Sequence, residues 1–318
     1  MDVVAFFNHK GGVGKTTLLF NVALALHELG RSVVIVDADA QANASGLALS
    51  EGQYDEALEK NATIWSMVAP LVTGAGDIEI KPPVSIRNGV WVVPGDLRLS
   101  NFEAILPVGW TESLAGEARG FRVTSALYRL FEGIGEHTGA DYALIDLGPT
   151  VGALNRSALI AADGFVVPLA PDLFSVMALP SVGNSMRDWK RQWRTAMTNR
   201  PEAADFHLPK GDPRPLGYVS QQFSVYGNRP AAAYREWLTR IADAYRDGVL
   251  VPMEATSRQG DDQLGALKNF GAIVPTAQHA HKAIFELGGN EARGAQFTRA
   301  QDSRELFTDI ATRMIARL

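Results

Sequence analysis

Cysteine is absent from all 318 residues. That excludes disulfides, thiolate metal sites and iron–sulfur clusters together. It also fits a reducing compartment, so the cytoplasm is the expected location. Net positive charge is missing too: 30 Lys and Arg stand against 35 Asp and Glu, for a formal charge of −5 and a pI near 5.7. No global field draws nucleic acid, so any DNA contact must come from a local patch. Long apolar runs are lacking, and no stretch approaches the roughly 18 residues of a transmembrane helix. No charged leader precedes the first apolar run, Val3 to Phe7, so no signal peptide is expected. With a strand expected from the outset, no helix-turn-helix unit is expected ahead of it, and operator-specific repression is not expected. There are no repeats and no low-complexity tracts.

What is present is a globular composition, 46% apolar and 20% charged, ample for a large core. Val3 to Phe7 is continuously apolar, as suits a parallel strand buried on both faces. A glycine-rich turn follows. Leu19, Val22, Ala23, Leu26 and Leu29 then recur at helical spacing over Thr16 to Leu29, and Gly30 ends the helix. Val33 to Val36 is the next strand, closing a βαβ unit. Residues 47–139 are irregular, with a strand at Val90 to Val93 and a helix at about Val123 to His137. The alternation then resumes. Strands are expected at Tyr142 to Ile145, Phe165 to Leu169, Leu216 to Ser220 and Val249 to Val251. Helices are expected at Asn155 to Ala162, 175–198, Ala231 to Tyr245, 279–287 and 303–317. This order predicts one doubly wound, mostly parallel α/β sheet flanked by helices, a single domain over 1–318 with 47–139 as an insertion or elaboration.

The chemistry sits in Lys10-Gly11-Gly12-Val13-Gly14-Lys15-Thr16-Thr17, between strand and helix. Glycines let backbone amides wrap phosphate oxygens, and the helix N-terminus adds its dipole. Lys15 supplies charge to the β and γ phosphates, and the Thr16 hydroxyl is a Mg²⁺ ligand. The strict pattern fails at one place, where His9 stands for a glycine. Asp37 and Asp39 close the second strand and Asp146 a later one. Three carboxylates at one sheet edge beside a phosphate loop suit a metal-assisted phosphoryl transfer, with Asp37 and Asp146 expected to hold Mg²⁺. The fold is thus expected to be of the P-loop NTPase type, with ATP and Mg²⁺ as ligands.

Asn8 to Thr17, then Asn21-Val22-Ala23, then Val36-Asp37-Ala38-Asp39-Ala40-Gln41-Ala42-Asn43, resemble the ParA/MinD family of deviant Walker A ATPases, the ParA branch most of all. Asp141 to Asp146, Ala161-Ala162-Asp163 and Val166-Val167-Pro168 are similar to that family as well. These motifs cover 2–46 and 141–172. The resemblance implies that Lys10 reaches the nucleotide of a partner subunit across an ATP-sandwiched homodimer. It implies that Asp39 positions the attacking water, that hydrolysis is slow and stimulated by a partner protein, and that Pro252 lies by the adenine. A cation delivered in trans is worth roughly 10³–10⁵ in rate. Where the family has a small residue and two prolines after Asp146, this chain has Leu147-Gly148-Pro149-Thr150. Cysteine-dependent relatives in the superfamily are excluded by composition.

Two helices bear on ligands beyond ATP. On 175–198, Met186, Trp189, Trp193 and Met197 share one stripe, and Arg187, Lys190, Arg191 and Arg194 share the adjacent face. The stripe reads as core. The cations read either as a solvated face or as a patch for non-specific DNA, which would place the protein on the nucleoid. Four phosphate contacts per chain would be weak, and about eight in a dimer would be strong and steeply salt-dependent. On the last helix, Leu306, Phe307, Ile310, Met314 and Leu318 make an apolar stripe. Packing on the sheet is its expected role, not membrane docking. His279 and His281 diverge on a helix and suggest no metal site. Three functions follow: a ParA-like partition or positioning ATPase that binds DNA when dimeric, an ATP-dependent switch in a protein complex without DNA, or a MinD-like membrane positioner.

Overall fold

A computed structural model describes residues 1–202, 206–223, 225–226, 229–230, 232–257 and 262–318. Along the chain run β1 (Asp2–Phe6), α1 (Lys15–Glu28), β2 (Val33–Ala38), α2 (Asn43–Ala48), α3 (Glu51–Glu59), α4 (Ile64–Thr73), β3 (Val84–Arg87), β4 (Val90–Val93), α5 (Leu99–Leu114), α6 (Ala118–Thr124) and α7 (Ala126–Thr138). Then come β5 (Tyr142–Leu147), α8 (Ala153–Ala161), β6 (Gly164–Leu169), α9 (Leu173–Thr198), β7 (Arg214–Phe223), the short β8 (Val225–Tyr226) and β9 (Arg229–Pro230), α10 (Ala232–Tyr245), β10 (Gln263–Lys268), α11 (Ile273–His279) and α12 (Ala295–Ile315).

Eight strands form one sheet in the order β10-β7-β6-β1-β5-β2-β4-β3. Neighbours are parallel except for β3, which runs antiparallel on the edge. β1 lies centrally, so its side chains are buried on both faces and read as a continuous apolar run. They alternate. Val4 and Phe6 join the core under α1 and α12, while Val3, Ala5 and Phe7 join the core under α5, α8 and α9. The parallel register brings Phe6 and Asp37 each opposite Asp146. All loops that follow the carboxyl ends of β1, β2 and β5 therefore meet at one edge, where ligands of such sheets bind.

The stretch 47–139, expected as an insertion or elaboration, is woven into the sheet: β4 pairs with β2, Val33 opposite Val90, and β3 extends it. Two expectations fail at the C-terminal end. Val249 to Val251 is no strand. Val249 and Leu250 lie in a π-helical turn, Arg246–Leu250, and Val251 follows it. The last sheet position belongs to β10, whose Gly265 escaped a strand reading because glycine weakens strand patterns. Glycine is required there, since a Cβ would lie 2.5 Å from Ile310. The helix expected over 279–287 is also absent. His281 has φ 49°, left-handed backbone that stops a helix, so α11 ends at His279 and a 3₁₀ turn at Ile284–Glu286 follows. Asn21 of α1 ties these parts together: its Nδ2 donates to Thr17 O at 2.8 Å, and its Oδ1 accepts the Ile284 N–H at 2.7 Å.

Candidate nucleotide site

The glycine-rich turn leaves β1 and enters α1 at Lys15. Gly12 and Gly14 have φ of 72° and 81°, values at which a side chain costs about 1–2 kcal/mol. Gly14 is also the N-cap of α1 and offers no side-chain cap, so the first-turn amides stay available to an anion. Val13 is buried beneath the loop, and Gly11 and Gly12 are exposed above it. Asn8, which no spacing rule marks, fixes the loop from inside. It is fully buried, donates from Nδ2 to Pro168 O at 2.7 Å, and accepts the Lys10 N–H on Oδ1 at 3.1 Å.

Lys15 is 8% exposed. Burial pulls its ammonium below the usual lysine range, and Asp146 and Asp39 push it partly back. A desolvated cation at the mouth of an amide-lined turn is a site for phosphate. Thr16 Oγ1 donates to Asp146 Oδ2 at 2.7 Å. The other oxygen, Asp146 Oδ1, is buried without a hydrogen-bond partner among the described residues. Bare buried carboxylate oxygens are rare and call for an explanation such as an ion. A divalent cation held by Thr16 and Asp146 supplies one, so the residues fit Mg²⁺. Burial, with Asp37 adding to it, raises the Asp146 carboxyl to about 7.

Asp37, expected as a second metal ligand, spends one oxygen on Ser45. Its Oδ2 accepts both the N–H and the hydroxyl of Ser45 at 2.7 Å, and its Oδ1 accepts the Asp39 N–H at 3.3 Å. The Ser45 hydroxyl in turn accepts the Gly95 N–H at 2.8 Å. The Asp37 carboxylate is thus committed to holding α2 and the loop after β4. Burial lifts it to about 6, against the hydrogen bonds of Ser45. Asp39 is half-buried and lies against Gly148, where a Cβ would stand 3.3 Å from its Oδ1. Lys10 turns away from the loop: its ammonium pairs with the Asp172 carboxylate and sits 5.9 Å from the ring of Phe174. Asp172 also caps α9, accepting the Ser175 N–H at 2.9 Å. Burial pushes the Asp172 carboxyl up, but Lys10 and Ser175 hold it below the usual range.

Beside the loop is a cavity of about 300 Å³ lined by Gly14, Thr17, Leu18, Gln221, Phe270 and Phe307, among others. Gln221 is buried, and its Nε2 has no partner among the described residues. An aromatic wall with an unsatisfied amide suits a planar heterocycle. Pro252 does not line this cavity. It follows the π-helical turn, whose Val249 and Leu250 pack in the core across the sheet. A larger cavity, about 820 Å³, opens at the opposite end of the strands between α7 and residues 210–214, and none of these groups reaches it.

A family model described as an AAA domain matches residues 1–198. The chain belongs to that family, in its ParA/MinD type of P-loop ATPases. Among curated relatives, the chromosome partitioning protein ParA of Caulobacter vibrioides is 34% identical over 183 residues, 56% of this chain and 60% of that protein. The match thus spans less than two thirds of that relative. Among solved structures, a protein from Corynebacterium diphtheriae superposes with a TM-score of 0.69 at 27% identity, covering 88% of this chain and 97% of that one. A Cyanothece McdA variant solved as an ATP complex superposes with a TM-score of 0.62 at 14% identity, covering 96% and 97%. The last shows the fold alone.

On this ParA/MinD-type fold three of the four cations of α9 share two carboxylates. Arg187 and Arg191 both pair with Asp188, at 3.1 and 3.4 Å, and Lys190 pairs with Asp212. Arg194 is exposed. Met186, Trp189 and Trp193 are buried, and Met197 is half-buried against the same core. The stripe of α12 is likewise packed, with Phe307, Ile310 and Met314 buried. Among the described residues, no helix is long and apolar enough to cross a membrane.

Proposed function

We propose that this chain is a ParA-like ATPase that binds ATP with Mg²⁺, dimerises around it, and hydrolyses it slowly to reset, serving partition or positioning of a cargo. The observation that carries this reading is the Thr16–Asp146 pair, with its bare carboxylate oxygen, set beside Lys15 and a glycine turn of left-handed backbone. In this reading Gly11 to Thr17 hold the phosphates, and Lys15 neutralises charge as it develops on them. Asp39 orients the attacking water, and Lys10 serves the nucleotide of a second copy. Mg²⁺ bound at Thr16 and Asp146 would neutralise the β and γ oxygens.

Exposed apolar side chains support a homodimer closing over this edge. Leu173, Phe174 and Met177 open α9 beside Lys10, and Val151 follows Asp146 in the next loop. All four are at least 47% exposed. Apolar groups gathered at a site rim mark interaction surfaces. The resemblance adds an activating partner protein.

DNA is the weaker part. The pairing of Arg187, Lys190 and Arg191 with Asp188 and Asp212 favours a second reading, an ATP-dependent switch in a protein complex without DNA. Fluorescence anisotropy of a random-sequence duplex, in ATP and in ADP at two salt concentrations, separates the two. Salt-sensitive binding in ATP alone supports the partition reading and a nucleoid location. Absence of binding in both states leaves the protein-complex switch.

A further inference from the structure

The loop after Asp146 touches two parts of the site and α5. Gly148 lies against Asp39, with space for a Cβ only 3.3 Å from the carboxylate. Pro149 lies beside the phosphate loop, its ring 3.9 Å from where a Cβ on Gly11 would be. Gly152 packs against the Glu103 carboxylate so closely that a Cβ would collide with it. Any shift of residues 148–152 is therefore felt at Asp39 and at Gly11. A glycine at 148 gives this loop more backbone freedom than a proline would.

Asn155 compensates. It is 2% exposed on the first turn of α8. Its Nδ2 donates to Gly148 O at 2.7 Å and to Thr150 O at 2.7 Å. Both partners are carbonyls, so the carboxamide orientation is fixed by chemistry: only the nitrogen side can face them. Both hydrogens of one amide are spent on the two carbonyls that flank Pro149.

We propose that Asn155 is a positioning residue for phosphoryl transfer, setting through Gly148 where the Asp39 carboxylate stands and holding Pro149 beside Gly11. The inference rests on the reading of the chain as an ATP hydrolase. Asn155 is buried and its amide is spent on the two loop carbonyls, so its effect belongs in the chemical step and not in binding. The isosteric Asn155→Asp can hold at most one of the two carbonyls, and that only when protonated, and so loosens the loop.

The test compares parent and Asn155→Asp for ATP affinity, by a fluorescent ATP analogue, and for kcat and KM. The expected result is an affinity within about twofold of the parent and a kcat lower by about 10- to 100-fold, the scale on which small misplacements act. Equal loss of affinity and kcat together, or an unchanged kcat, overturns the proposal. No turnover in the parent overturns the hydrolase reading and this inference with it. Parent turnover with an unaltered Asn155→Asp overturns the inference alone. If Asn155→Asp does not fold, hydrogen exchange of the parent decides. Amides of residues 150–152 well slowed against an unstructured chain support the clamp, and coil-like exchange there overturns it.

Discussion

The Lys10 ammonium is paired with the Asp172 carboxylate, and Asp172 is also the cap of α9. The lysine read as serving a partner's nucleotide is thus already engaged within its own chain, to the helix whose exposed first turn would meet that partner. Removing the charge while keeping the cap frees Lys10. Asn caps as well as Asp. Asp172→Asn is expected to tighten ATP-dependent dimerisation by up to about fivefold, the worth of a partly exposed pair. Sedimentation in ATP checks this, and Lys10→Ala is expected to give monomer under the same conditions.

Lys15 is desolvated and points where phosphate would sit. Lys15→Ala is expected to weaken ATP binding by more than about 100-fold, since a desolvated charge–phosphate contact is worth several kcal/mol, while the fold persists. Calorimetric titration reads the first and circular dichroism the second. Intact affinity would contradict the assignment of the loop.

Asp37 and Asp146 carry values of about 6 and about 7 against an ordinary 3.8. A carboxyl raised on folding binds its proton more tightly in the folded chain. Its contribution to stability is therefore fully present below about pH 4 and is lost as pH rises through about 6 and about 7. Asp146→Asn removes the larger share. In metal-free buffer at about pH 7.5 it is expected to be more stable than the parent by roughly 1–3 kcal/mol. Mg²⁺ is expected to raise the melting point of the parent and not of the variant. Thermal melts in chelator and in Mg²⁺ report both. A parent that equals the variant in chelator would count against the buried carboxylate pair.

Gln221 and Phe270 wall the cavity beside Gly14 and Thr17. Phe270→Ala is expected to weaken ATP binding by about tenfold, in line with the roughly 1–3 kcal/mol of stacking a base on an aromatic ring. Affinity for inorganic triphosphate should stay unchanged. Competition titrations with the two ligands distinguish a base pocket from a general loss of structure.

The phosphate loop, the central strands and Asp146 were legible because their signals are local: glycines where the backbone is left-handed, and apolar runs where both faces are covered. Asp37 was legible as a strand-end carboxylate but not in its tie to Ser45. Its partner Ser45 lies in a short helix, and Gly95, which completes the arrangement, is on a strand-end loop 50 residues further on. β10 was missed because Gly265 makes room for Ile310, a contact with no local trace. The cavity beside Gly14, from which Pro252 is absent, has Asn269 and Phe270 in its wall, and these follow that missed strand. Asn155 and Asp172 carry no motif signal of their own, for each acts through a tertiary contact.

The helix that begins with Lys15 is held at its middle by Asn21, which reaches across to Ile284, and α12 covers the same face. The region matched by the family ends at residue 198, yet that region alone would leave Leu18 without Leu267 and Phe307 beside it and the sheet without β7 and β10. The portion of the chain most like its relatives is therefore not a detachable module. A truncation at 198 should aggregate instead of binding nucleotide, and grafting the phosphate loop elsewhere would have to carry its distant C-terminal brace along.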